Sequence, residues 1–303
     1  MKTSIIIFLT IISCSLAAQA PPNTNLYLFD LVPADSNDYK LSKPTFLTKF
    51  NSSGYNNQPF FVENNKIMLT VQVPGEQQTD FYQLDLTDKR KTRITGTYES
   101  EYSAGLIPNF SSNSLDLKIS CVRVATDEHK TQYLWQYPLD RSDSGSAILE
   151  DLTGVGYYAW SSKSKVALFI VGEPHTLVAA DIETNNQVTI TSNIGRCLRR
   201  FPNGDIAFVH KIDEKTWLLK RLNMSTYQPE LVTAMLEGVE DFELLGDGTI
   251  LMAKDSKIYK FNRRKDISWK EIADLSLYGL RNISRMAVNQ SGNKLVLVNE
   301  NKF

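Results

Sequence analysis

The sequence predicts an all-β protein, and three observations carry that prediction. No segment holds a helical hydrophobic period over enough residues for a long amphipathic helix. Short runs rich in Val, Ile, Phe, Tyr and Leu recur instead, separated by clusters of Asn, Gly, Asp and Ser, which is the pattern of strands joined by tight turns. These runs return as a unit with a spacing of about 40–45 residues, the length of one four-stranded sheet in a radial array.

The clearest unit runs from Asn57 to Thr95, where NQPFFVENNKIMLTV, TDFYQLDL and KTRIT read as four strands with their turns. It returns near Tyr158 (YYAWSSKSKVALFIV, HTLVAADI, QVTITS) and near Arg196 (RCLRRFPNGDIAFVH, TWLLKRLN, PELVTA). It returns once more near Asp241 (DFELLGDGTILMAK, SKIYKFN, WKEIADL), and a looser copy from Glu101 to Leu149 has a longer first turn around Asn109 to Asp116. The remainder is decisive. After Ser284 only RMAVNQSGNKLVLVNE is left, enough for two strands, and before Asn57 stand only NLYLFDLV and PTFLTKF, enough for two more. Joined, they complete a sixth sheet, inner strands from the C-terminus and outer strands from the N-terminus. The expected architecture is therefore a six-bladed β-propeller of four-stranded antiparallel blades, because closing the ring removes the sheet edges an unfinished stack would expose. An open stack of sheets, or a β-sandwich with extra hairpins, is the alternative.

Residues 1–18 read as a cleaved signal peptide: Lys2, an apolar stretch from Ser4 to Ser13, then the small residues of CSLAAQA. The stretch is too short for a membrane span of roughly 20 apolar residues. A rival reading takes Ile11-Ile12-Ser13-Cys14 as a lipobox, with Cys14 as a lipidated N-terminus. Residues 19–303 then form the propeller, expected to be monomeric and to sit in the periplasm or outer envelope. A formal charge of −1 argues against a nucleic-acid partner, which would normally show a basic face. Cys121 and Cys197 lie in apolar strand contexts, so buried thiols are expected rather than a disulfide. The two of the three cysteines that remain after processing, and three scattered histidines, make no zinc spacing, and no cofactor is expected.

At the repeat segments the chain resembles a known family. NQPFFVENNKIMLTV followed by TDFYQLDLTDKRKTRIT is similar to the WD40-like PD40 repeat of TolB-type propellers, with Pro59, Phe61, Asp85, Leu86, Ile94 and Thr95 at matching positions. The turns depart from the Pro-Asp-Gly pattern of that repeat. Glu63-Asn64-Asn65, Asn203-Gly204-Asp205, Gly246-Asp247-Gly248 and Ser291-Gly292-Asn293 stand there instead, residues that tolerate tight turns. The resemblance spans nearly the whole of 19–303. It implies a stand-alone envelope propeller without the α/β domain that precedes the propeller in TolB, so it implies no role in the Tol–Pal system and no reaction.

In a propeller the residues that begin each innermost strand surround one mouth of the central channel. Taken blade by blade, those positions supply Gln58, Glu101, Tyr102, Tyr157, Arg196, Glu240, Asp241 and Arg285 as candidate ligand-binding residues. Carboxylates facing guanidiniums hold a zwitterionic or sugar-like ligand, or a peptide terminus, through charge-assisted bonds. The same groups equally suit pairing with one another to stitch blades together. Glu101, Glu240 and Asp241 are oxygen donors of the kind Ca²⁺ takes, although Arg196 and Arg285 nearby oppose a cation. Catalysis has little support. There is no Gly-x-Ser-x-Gly elbow, and adjacent Glu240 and Asp241 alternate across a strand, whereas glycoside hydrolysis needs two carboxyls facing one bond. His175 reads as a turn-stabilising residue, and His129 and His210 as solvated or structural. The tryptophans at 135, 160 and 217 belong to strands, and the run Lys260 to Lys265 reads as a solvated basic turn. The expectation is a binding module that holds a peptide segment or small polar ligand at the channel mouth. A Ca²⁺-assisted lactonase-like hydrolase is the alternative, and a pure assembly scaffold a third reading.

Overall fold

A computed structural model describes residues 21–34, 38–108 and 117–301. The expected leader at 1–18 with Cys14, and the expected long turn at 109–116, lie outside the described residues. The chain begins with β1 (Thr24–Ala34), β2 (Asp38–Leu41) and β3 (Thr45–Phe46). Five complete sheets follow. Blade one is β4 (Tyr55–Glu63), β5 (Lys66–Gln72), β6 (Asp80–Asp85) and β7 (Lys91–Arg93); blade two is β8 (Ser100–Leu106), β9 (Lys118–Val124), β10 (Gln132–Pro138) and β11 (Ser146–Ile148). Blade three is β12 (Val155–Trp160), β13 (Lys165–Ile170), β14 (Thr176–Asp181) and β15 (Asn186–Ser192). Blade four is β16 (Ile194–Arg200), β17 (Ile206–Lys211), β18 (Trp217–Leu222) and β19 (Pro229–Ala234). Blade five is β20 (Phe242–Leu244), β21 (Ile250–Lys254), β22 (Lys257–Phe261) and β23 (Lys270–Asp274), and β24 (Ile283–Val288) and β25 (Lys294–Glu300) end the chain.

Blade six closes the ring as the strand arithmetic predicts: β1 pairs antiparallel with β25 from Thr24↔Glu300 to Asp30↔Lys294, and β24 lies inside β25. Its outermost strand differs from the expected PTFLTKF run. That position is shared by β2, opposite Leu31–Ala34, and β3, opposite Tyr27 and Leu28. The break falls at Ser42–Pro44, where Ser42 Oγ replaces a backbone acceptor for the Asp30 N–H at 2.8 Å. Proline has no N–H to donate to a ladder and is confined to such edges.

The apolar runs look continuous, not alternating, because each blade is covered on both faces. Successive residues point to opposite sides of a strand, and each side meets a different neighbour. Leu295 and Leu297 pack into the seam between blades five and six, while Val296 and Val298 pack into the seam with blade one. The same division separates Val166 and Leu168 from Ala167 and Phe169, and Ala207 and Val209 from Ile206 and Phe208. The core is thus six clusters, one in each seam. Cys121 and Cys197 are free thiols buried in two of these seams. Trp160 is buried, with its indole N–H donated to Ser120 Oγ at 2.8 Å across a seam.

One turn departs from expectation. Lys260 belongs to β22, is 2 % exposed, and donates to both Asp266 carboxylate oxygens at 3.1 Å. A buried ammonium requires such a partner, so only Arg263, Arg264 and Lys265 form the solvated part of the basic run.

Candidate functional site

The geometry of the channel is set by backbone irregularities. In five of the six inner strands the pairing register with the second strand shifts, between Asn57 and Phe60, Tyr102 and Gly105, Val155 and Tyr157, Ile194 and Leu198, and Ile283 and Arg285. A bulge of this kind bends the strand and re-aims the extra residue. Gln58, Ser103, Arg196 and Ser284 fall inside the shifts, and Gln58 (φ 51) and Ser103 (φ 57) hold the left-handed conformation. That conformation is uncommon for residues with side chains and marks a site under constraint.

A cavity of about 560 Å³ occupies the axis, lined by the inner strands of all six blades. It reaches the turns between first and second strands at Pro202, Gly246 and Gln290, all exposed. Within it, Arg285 donates to the Tyr157 hydroxyl at 2.9 Å. These residues belong to blades six and three, which face each other, so the bond crosses the channel. Along the wall, Arg199 of blade four donates to Glu243 Oε2 of blade five at 3.0 Å and to the Met286 carbonyl of blade six at 3.2 Å. Burial pushes the Glu243 carboxyl above the usual range, opposed by the Arg199 charge. Burial likewise raises the Tyr55 phenol, which is close enough to feel the charges of Arg285 and Arg196 and the Tyr157 and Tyr102 hydroxyls.

The eight residues singled out from the sequence divide evenly. Gln58, Tyr157, Arg196 and Arg285 line the cavity. Gln58 Oε1 accepts from Thr70 Oγ1 at 2.9 Å and from the Ser103 N–H at 2.8 Å, and Tyr158 donates its hydroxyl to the Ser103 carbonyl at 2.8 Å, so three blades are tied in sequence. Glu101, Tyr102, Glu240 and Asp241 do not line it. Glu101 is fully buried and accepts from Tyr137 at 2.7 Å and Thr97 at 3.0 Å. Tyr102 packs into the seam between blades two and three. Glu240 accepts from the Arg196 N–H at 3.2 Å and pairs with Lys211, reaching back to blade four. Asp241 accepts from the Met286 N–H at 3.0 Å and lies 3.7 Å from Arg285, reaching forward to blade six. The three carboxylates therefore serve three different seams, and among the described residues no three metal-ligating groups converge.

Sequence reasoning missed Arg199, Glu243 and Ser103. Arg199 and Glu243 carried a signal, since each stands a few residues into its inner strand where a purely structural strand would be apolar. The histidines stay outside the cavity. His175 Nδ1 accepts from the Gly172 N–H at 3.2 Å in its turn, and exposed His129 lies 3.3 Å from Glu128. His210 Nδ1 accepts from Lys220 at 2.8 Å.

Not every polar group is used. Arg196 is 3.8 Å from Glu240 by its nearest nitrogen, too far for a hydrogen bond, and its buried Nε has no partner. The Ser103 and Ser284 hydroxyls are buried and also without partners. An unmet buried donor costs about 1–3 kcal/mol.

No family model matches the sequence, and no curated protein matches it. Solved structures do match in shape. A TolB protein of Agrobacterium tumefaciens superposes with a TM-score of 0.65 at 10 % identity, covering 93 % of this chain and 100 % of its own. A chain of the nidogen–laminin complex gives 0.58 at 10 % identity, over 91 % of this chain and 98 % of that one. An oligogalacturonate lyase in complex with manganese gives 0.51 at 12 % identity, over 94 % and 99 %. Likeness at this level of identity speaks to fold alone. The chain has the TolB-like six-bladed β-propeller fold.

Proposed function

We propose that this protein is a secreted, envelope-located binding module that holds a peptide segment or small polar ligand in its propeller channel. The observation that carries the reading is the Arg196 guanidinium, which lines a cavity of about 560 Å³, stays 41 % exposed and has no hydrogen-bond partner at its Nε. That volume is in the range of small-ligand sites, roughly 300–1,000 Å³. The leader-like residues 1–18 support export, and among the described residues no helix is long and apolar enough to cross a membrane. Binding, not hydrolysis, is favoured because Glu101, Glu240 and Asp241 each have their own partner in a different seam.

The test is a thermal-shift screen of the full chain across small polar ligands, peptides and divalent metals, with and without chelator. A ligand that binds only the folded state raises the transition temperature by mass action. The expected result is a rise of several degrees that is indifferent to chelator and lost in Arg196→Ala. A Ca²⁺-dependent rise abolished by Glu240→Ala would overturn the reading in favour of a metal-assisted hydrolase.

A further inference from the structure

The charges on the channel wall narrow the ligand. Among the described residues Arg196, Arg199, Arg200 and Arg285 line the cavity, against Glu243 as the one lining carboxylate. Behind the wall stand Lys211, Glu240 and Asp241. Arg199 is neutralised by Glu243 at 3.0 Å, Arg285 by Asp241 at 3.7 Å, and Lys211 by Glu240. Two guanidiniums remain. Arg196 shares the already committed Glu240 at 3.8 Å, and Arg200 donates only its Nε, to the Ser161 carbonyl at 2.9 Å. The Arg196 side chain is 41 % exposed and Arg200 is exposed, so both are open to a ligand, and a cleft carrying an uncompensated like-charged pair raises the local concentration of anions.

Spacing selects among anions. Arg196 and Arg200 are four residues apart on β16, at most roughly 13 Å along a strand at about 3.3 Å per residue, and less where the bulge at Arg196 bends the run. The wall between and opposite them carries Tyr157, Tyr158 and Phe60. A compact dianion reaches one guanidinium at a time, whereas two carboxylates separated by a short body reach both while the body lies on the rings. Guanidinium is suited to carboxylate because its N–H groups match two oxygens at once.

We infer that the channel takes a small dicarboxylate with its two charges held apart, entering from the face that carries Pro202, Gly246 and Gln290. This rests on the channel-binding reading above and adds the ligand class and the direction of approach. Arg196 grips the inner carboxylate, Arg200 grips the outer one, and the Arg285–Tyr157 bond across the axis forms the floor.

The experiment is calorimetric titration of the full chain with succinate, adipate and suberate, their diamides, and inorganic phosphate. Adipate and suberate should bind more tightly than succinate or phosphate, and the diamides should not bind. Arg196→Gln should weaken binding about tenfold or more, the effect of losing one charge-assisted hydrogen bond. Glu240→Gln should tighten it, since that change removes a competing negative charge. A structural role for Arg196 would not produce this opposite response, and circular dichroism of both variants separates misfolding from lost contacts. Phosphate binding as tightly as adipate would overturn the carboxylate assignment. If no anion binds while a neutral ligand binds in an Arg196-dependent way, the dicarboxylate class falls and the binding module stands. If nothing binds and Arg196→Ala changes nothing, both fall.

Discussion

Asn56→Ala should cost the protein about 3 kcal/mol, because this residue fastens the seam at which the ring closes. Its side chain is fully buried and donates from Nδ2 to the Thr24 carbonyl at 2.7 Å and the Asn51 carbonyl at 2.8 Å. Its Oδ1 accepts from Asn51 Nδ2 at 3.0 Å. Thr24 begins the strand that pairs with the C-terminus, so these bonds join both chain ends to blade one. A net hydrogen bond contributes about 1 kcal/mol, and three are lost together, leaving buried carbonyls without their donor. At the size of this domain the loss corresponds to about 5 °C in Tm. Urea unfolding followed by tryptophan fluorescence reads the change directly, with the slope expected to stay constant. Asn56→Asp should be worse than Ala, since it aims a carboxylate oxygen at two carbonyls. A loss under about 1 kcal/mol at unchanged slope would refute the claim that this network holds the closure.

Two titrations should act with opposite sign. Burial holds the Glu101 carboxyl above its ordinary value, so the folded state binds the proton more tightly and stability declines as pH rises above 4.5 toward the folded value; Glu101→Gln should flatten that limb of a stability–pH curve. His210 is held below its ordinary 6.5 by burial and then by Lys220, so its contribution is complete above 6.5 and is lost as pH falls through the depressed value. His210→Gln should flatten that acid limb, measured as Tm against pH. The Cys197 thiol is buried and pushed up to about 12, and Cys121 is raised by burial as well. Neither should react with iodoacetamide until the protein is unfolded, because the thiolate is the reactive form; mass spectrometry of native and denatured samples checks this.

The blade count and the manner of closure were legible in the chain because both rest on local signals. Each strand carries apolar residues on both faces, each hairpin carries its own turn residues, and two strands at either end complete one blade only if the ends meet. The turns at Gly204, Gly248 and Gly292, which take positive φ, belong to the same class of signal. The site was half legible. Counting along the inner strands put Gln58, Tyr157, Arg196 and Arg285 on the axis, but the same count put Glu101, Tyr102, Glu240 and Asp241 there too. What separates the two groups is where the strand begins and whether it bulges. β20 starts at Phe242 with a regular register, leaving Glu240 and Asp241 in the preceding loop to clasp neighbouring blades. In blade two the register shift falls after Tyr102, so Ser103 is re-aimed and Glu101 stays buried. A bulge is an agreement between two strands about which residue has no partner, and a single strand's sequence does not contain it. Repeat length, strand pattern and ring closure are therefore properties of the sequence, while the crossing of Arg285 to Tyr157, the tie of Arg199 to Glu243 on the next blade, and the two guanidiniums left over, exist only once six blades share an axis.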